Sequence, residues 1–164
     1  MLVYHDCGYI EKGIAVPKSH ADEFWDYGVR CFADSSFAAR CIELQDEYGT
    51  DTNVILLHLW GRMAGGAVIW HAIYDLAEEW QAERLRPLRE ARRALKDLDD
   101  ALYNKIRRVE LQLERMEQAA LIDRFIELGG DIKDGAASDL EVYLKHCGVE
   151  EEYEHLISLK MVKL

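Results

Sequence analysis

The chain has 164 residues, enough for one domain with a real hydrophobic core. Hydrophobic residues make up 49% and charged residues 31%, ordinary values for a globular protein. The formal charge of −11 argues against general binding to nucleic acid or to an anionic membrane.

Only two prolines, set among many Leu, Ala, Glu and Arg residues, point to an all-α, single-domain helical bundle. No apolar run approaches the ~20 residues that cross a bilayer. The start, M-L-V-Y-H-D-C-G-Y, lacks the basic and long apolar parts of a signal peptide. Cys7, Cys31, Cys41 and Cys147 are scattered, with no C-x-x-C pair. That spacing suits reduced thiols and a cytoplasmic location.

Residues 1–18 show no period and read as an irregular arm. A helical bundle core is expected over 19–128, then a loop and two short helices over 129–164. Ser19 is a helix cap with Asp22 at the capping-box position, so a helix runs His20 to Phe32. Phe24, Trp25, Val29 and Phe32 are its expected inner positions. Asp34 or Ser35 caps a second helix, Ser36 to Tyr48, closed by Gly49. Phe37, Cys41, Leu44 and Tyr48 follow its inward spacing.

The run D-T-N-V-I-L-L-H-L-W, Asp51 to Trp60, is the densest apolar stretch. A segment apolar all round must be covered on every side, so it belongs at the centre of the core. Asp51 is its cap, and the helix is expected to reach Met63 and Ala64, stopped by Gly65-Gly66. Ala67 to Trp80 forms the next helix. Ile69, Ile73, Leu76 and Trp80 make one stripe, and Trp70, Tyr74 and Ala77 a second that meets another helix or a partner chain. Trp70 and Trp80 are candidates for an exposed aromatic patch.

Pro87 marks a helix start. From it a heptad-like seam runs Leu88, Ala91, Leu95, Leu98, Leu102, Ile106, Val109, Leu113, Met116, Ala120. It implies one long heptad-patterned helix to Leu128, or a helix pair broken near Asp97 to Asp100. Gly129-Gly130 ends it. A polar loop, Asp131 to Ala137, precedes a helix from Ser138 to His146 and an acidic one from Glu150 to Lys160.

The phrases F-W-D-Y (Phe24 to Tyr27), C-I-E-L-Q-D-E-Y-G (Cys41 to Gly49), D-T-N-V-I-L-L-H-L-W (Asp51 to Trp60), Trp80, and P-L-R-E-A-R-R-A-L-K (Pro87 to Lys96) stand in order. Together, over about residues 20 to 115, they resemble a family of short, uncharacterised proteobacterial proteins known only as a domain of unknown function. That resemblance implies a soluble, cytoplasmic bacterial protein and no established activity.

The basic cluster carries the most chemistry. Arg84, Arg86, Arg89, Arg92, Arg93 and Lys96 lie within thirteen residues, opposed only by Glu90. Arg89, Arg92, Arg93 and Lys96 share one helix face, and guanidinium forks grip phosphate or carboxylate bidentately. Two readings stay open. The arginines pair with the chain's own acids, or they hold an external anion or an acidic or amphipathic partner. A second copy of the chain, meeting through the seam, is the other partner expected.

Asp51, Asn53 and His58 are possible pocket groups, with Asp51 also a cap and His58 also a buried core histidine. Asp22 with Asp26, Glu152 with His155, and His5 with Cys7 lack the further ligands that a metal site needs. No Walker loop, G-x-G-x-x-G or G-x-S-x-G occurs, so neither metal nor cofactor is expected.

Overall fold

The computed structural model describes residues 18–63, 67–131 and 139–161. Its helices are α1 (His20–Phe32), α2 (Ser35–Tyr48), α3 (Thr52–Trp60), α4 (Ala67–Trp80), α5 (Arg86–Leu95), α6 (Asp100–Glu127), α7 (Leu140–His146) and α8 (Glu152–Met161). The all-α bundle stands. Two-residue strands β1 (Arg62–Met63) and β2 (Gly130–Asp131) form one antiparallel bridge.

Capping chemistry sets the early boundaries. The Ser19 side chain accepts from the Asp22 amide. Asp34 accepts from Ser36 and Phe37, and Asp51 from Asn53 and Val54. Gly49, with φ of 69°, closes α2 in the left-handed region. Helix α3 is buried from Asn53 through Trp60 and sits at the centre of the core.

Helix α3 stops at Trp60, earlier than expected. The chain turns extended at Gly61 and enters β1. The reason is a close approach: a Cβ at Gly61 would stand 2.5 Å from Phe125 Cζ, and one at Gly130 would stand 2.4 Å from Phe125 Cε1. The bridge folds both glycines over the Phe125 ring. Residues 64–66, with the expected Gly65-Gly66 stop, lie outside the described residues, as do His5, Cys7 and the expected cap Ser138.

Helix α4 does not end before α5. A π turn, Gln81–Leu85, joins them, and the Arg86 amide reaches back to the Gln81 carbonyl. Pro87 has no N–H to give the preceding turn, and its ring presses on that turn's carbonyls. The wider π turn lies where those carbonyls are. On α4 the buried stripe is Trp70, Ile73, Tyr74 and Ala77. Trp70 is therefore core, not part of an exposed patch.

The heptad seam splits into a helix pair. Helix α5 ends at Leu95, and Asp99 caps α6 by accepting from the Leu102 amide. The pair is antiparallel: Arg92 meets Tyr103, Arg89 meets Glu110 and Glu114, and Gln81 meets Glu117. The seam's apolar positions are not the buried face. Leu98 is 80% exposed, Leu102 41%, Val109 46% and Met116 56%, while Glu110, Glu117 and Gln118 are buried. Phe32 and Tyr48, expected inside, are exposed at the ends of α1 and α2, and Tyr27 and Gly28 take the inner places on α1.

The core continues past residue 128. Leu140, Tyr143, Leu144, Val149 and Leu156 join the same buried cluster as α1 to α4 and α6. Among the described residues, no helix is long and apolar enough to cross a membrane.

Candidate functional site

A polar network runs through the middle of this bundle. Asp51 and Asn53, at the start of α3, face Glu117 and Gln118 of α6 and Gln81 of the π turn. Gln81 Nε2 donates to Asp51 Oδ2 at 2.7 Å and to Glu117 Oε1 at 3.1 Å. Asn53 Nδ2 donates to Glu117 Oε2 at 2.5 Å, and Gln118 Nε2 donates to Asn53 Oδ1 at 2.7 Å. All five side chains are buried. Burial, then the neighbouring Asp51 charge and a hydrogen bond to it, pushes the Glu117 carboxyl well up. The Glu117 carboxyl, pushed up to about 10, keeps its proton at neutral pH.

Gln81 passes the network outward. Its Oε1 accepts from Arg89 Nη1 at 2.8 Å. Arg89 also donates from Nη2 to Glu114 (3.0 Å) and from Nε to Glu110 (3.4 Å). These three bonds use three of the five guanidinium N–H groups and leave one on each terminal nitrogen. Arg92 donates to Glu110 from Nε (2.5 Å) and Nη2 (3.3 Å), and from Nη1 to Tyr103 (3.2 Å). Burial raises the Glu114 carboxyl, and the Arg89 charge opposes the rise. Glu110 and Glu114 therefore meet the two guanidiniums directly, and Asp51 and Glu117 bond the Gln81 amide behind them. Carboxyls outnumber guanidiniums, and the proton on Glu117 lowers the excess of negative charge.

Beside the network lies a cleft of about 220 Å³. It is lined by Gln45, Asp46, Gly49 and Thr50 on one side and Gln81, Arg86, Arg89, Glu90 and Arg93 on the other. Arg86, Arg89 and Arg93 lie three and four apart, so one face of α5 presents all three. The Thr50 hydroxyl is buried and has no hydrogen-bond partner among the described residues. Two ion pairs hold the outer arginines: Arg86 with Glu78 (2.6 Å) and Arg93 with Asp46 (2.5 Å). Arg84 stacks over the Trp80 ring at 4.6 Å and pairs with Glu83 at 3.3 Å.

The expected arginine face is thus divided. Arg86, Arg89 and Arg93 line the cleft, Arg92 turns to α6, and Lys96 is exposed at the end of α5. Each of Arg86, Arg89, Arg92 and Arg93 pairs with a carboxylate of its own chain.

His58, at the other end of α3, serves a different interior. Its ring stacks on Trp70, with centroids 3.7 Å apart, and its Nε2 lies 3.0 Å from the Tyr74 hydroxyl. Burial pushes its pKa down to about 3, so it is neutral. The Tyr143 ring lies 5.7 Å from His58, and its hydroxyl accepts from the Asp51 amide at 2.6 Å. Tyr143 is the hinge between the two interiors.

The chemistry of Gln81, Glu110, Glu114, Glu117, Gln118 and Tyr143 was invisible in the linear chain. One signal was available: Glu110, Glu114 and Glu117 repeat at helical spacing against Gln81, Arg89 and Arg92 on the preceding segment. Among the described residues no group of three or more His, Cys, Asp or Glu has metal-site geometry. Glu152 instead pairs with Arg40 and Asp22 with Arg115.

A family model described as protein of unknown function (DUF2390) matches residues 23–121. The chain belongs to this family. The matched span includes Asp51, Asn53, Gln81, Arg89, Glu110, Glu114, Glu117 and Gln118, every network residue except Tyr143. No curated protein and no solved structure matches the chain.

Proposed function

We propose that this protein binds a small ligand bearing a carboxylate or phosphate in the cleft between α2 and α5. The observation that carries this reading is the lining: three arginines on one helix face, opposite a buried Thr50 hydroxyl without a partner. Arg89 is held in place by Gln81, Glu110 and Glu114, so its remaining N–H groups are already oriented. Arg86 and Arg93 are half-exposed, and exposed ion pairs are worth only about 0–1 kcal/mol. An incoming anion displaces Glu78 and Asp46 at little cost. The Asp51–Glu117 pair lies behind Gln81, so the reading is one of binding rather than turnover.

A thermal melt against phosphate, citrate and short dicarboxylates tests it. Saturation at a hundred times Kd adds about 2.7 kcal/mol, which is roughly 5–10 °C for a chain of this size. The shift is lost in Arg86→Gln/Arg93→Gln. A flat panel overturns the reading.

A second reading rests on the exposed stripe of α6. Leu102, Val109 and Met116 repeat every seven residues along one line of the helix. The line is symmetric about Val109, so two antiparallel copies set Leu102 against Met116 in an isologous contact. Light scattering of wild type and Val109→Lys tests it. A dimer that the variant breaks supports the contact. A wild-type monomer removes self-association and leaves an acidic amphipathic helix, facing Lys105 and Arg108, as the occupant to test. The scattered cysteines, with no C-x-x-C pair, favour a reducing, cytoplasmic setting.

A further inference from the structure

The cleft is not lined by cations alone, and the distribution of its charges narrows what fits. Asp46 stands on the α2 side and Glu90 on the α5 side, with Arg86, Arg89 and Arg93 between and around them. The Arg93–Asp46 pair, at 2.5 Å, joins α5 to α2 across the cleft. Glu90 makes no ion pair among the described residues. Opening the Arg93–Asp46 pair exposes one cation and one anion together.

A plain anion answers only half of that exchange. It takes Arg93 but leaves Asp46 unpaired, with two carboxylates repelling the bound charge. A ligand with both an ammonium and a carboxylate replaces both halves of the pair. The space agrees. At about 220 Å³ the cleft falls below the roughly 300–1,000 Å³ of pockets for larger ligands, which suits a free amino acid rather than a nucleotide. Gln45 and Thr50 add neutral hydrogen-bonding groups beside the charges.

We infer that the cleft selects a zwitterion of amino-acid size, its carboxylate on Arg89 and Arg93 and its ammonium between Asp46 and Glu90. This rests on the binding reading above and names the class of ligand.

Titration calorimetry on the full chain tests it with matched pairs that differ by one ammonium group: alanine against propionate, aspartate against succinate, glutamate against glutarate. The expected result is that at least one amino acid binds about ten-fold tighter than its deaminated partner. Asp46→Asn and Glu90→Gln, both at exposed positions, then bring the pair level by weakening the amino acid alone. Arg93→Gln weakens both members. If the plain acids bind as tightly as the amino acids, and Arg93→Gln weakens them, the zwitterion inference falls and the anion cleft stands. If no member of any pair binds, both fall.

Discussion

Helix α3 ends in two different interiors. At its first turn, Asp51 and Asn53 enter a polar network of hydrogen-bonded amides and carboxyls. At its last, His58 enters an aromatic stack in which Nδ1 has no partner among the described residues. Both are buried, yet they manage charge in opposite ways. The aromatic interior keeps its histidine neutral by burial. The polar interior sets two guanidiniums among four carboxyls and keeps the Glu117 carboxyl protonated. Burial alone therefore does not set a group's ionisation here. The partners that burial brings with it decide.

The comparison breaks most sharply at its two anchors. Trp70→Ala removes the face on which His58 stacks and opens a cavity, and costs about 3–5 kcal/mol by denaturant unfolding. Arg89→Met strips Glu114 and the Gln81 side-chain carbonyl of their guanidinium, leaves Glu110 to Arg92 alone, and also costs about 3–5 kcal/mol. The two differ in pH response. Acid partly rescues Arg89→Met, because the stranded carboxylates protonate, and it does not rescue Trp70→Ala.

Titration sharpens the contrast. The unfolded chain protonates His58 near its ordinary value of about 6.5, whereas the folded chain does so only near 3. Stability therefore falls as pH drops through that window, by up to about 1.4 kcal/mol per pH unit. His58→Phe keeps the stack and flattens that slope between about pH 6 and about pH 4. Glu117 has the opposite sign. Its folded pKa is raised, so its contribution is complete below the unfolded value and fades as pH rises. Glu117→Gln donates to Asp51 and accepts from Asn53 without a proton to lose. It gains on wild type in melts run from about pH 5 to about pH 8. A variant that instead loses ground with rising pH shows that the pair is not protonated.

The smallest effect is at the rim. Arg93→Gln breaks a half-exposed pair with Asp46 and changes stability by about 0–1 kcal/mol. A larger loss shows that this pair holds α2 against α5 and does not open readily.

Much of the fold was legible because its signals are local. Ser19, Asp34 and Asp51 cap by contacts two or three residues away, and Gly49 adopts its turn without help from elsewhere. The seam misled because periodicity reports a stripe, not what covers it. Leu102, Val109 and Met116 are the more apolar line of α6, yet the line against α5 is Tyr103, Glu110, Glu114 and Glu117. Once α6 folds back, the ion pairs with Arg89 and Arg92 and the Gln81 amide make that charged face the inner one. Asp51 and Asn53 were legible as polar groups at a helix start. Gln81 was not, because its importance depends on a widened turn that no hydrophobic period reveals.

That widened turn has a geometric consequence. An α-helix advances about 100° per residue, and a π turn admits one residue beyond that count. Gln81–Leu85 thus works as a phase offset between two rigid rods. Deleting one residue within it would let the rods run through as a single regular screw. Every side chain of α5 would then be re-aimed by about a quarter turn relative to α4. Arg89 would leave Gln81, and Arg86 and Arg93 would leave the cleft. The rods themselves would lose no helical structure, so helix content would barely change while the arginine-lined wall dispersed.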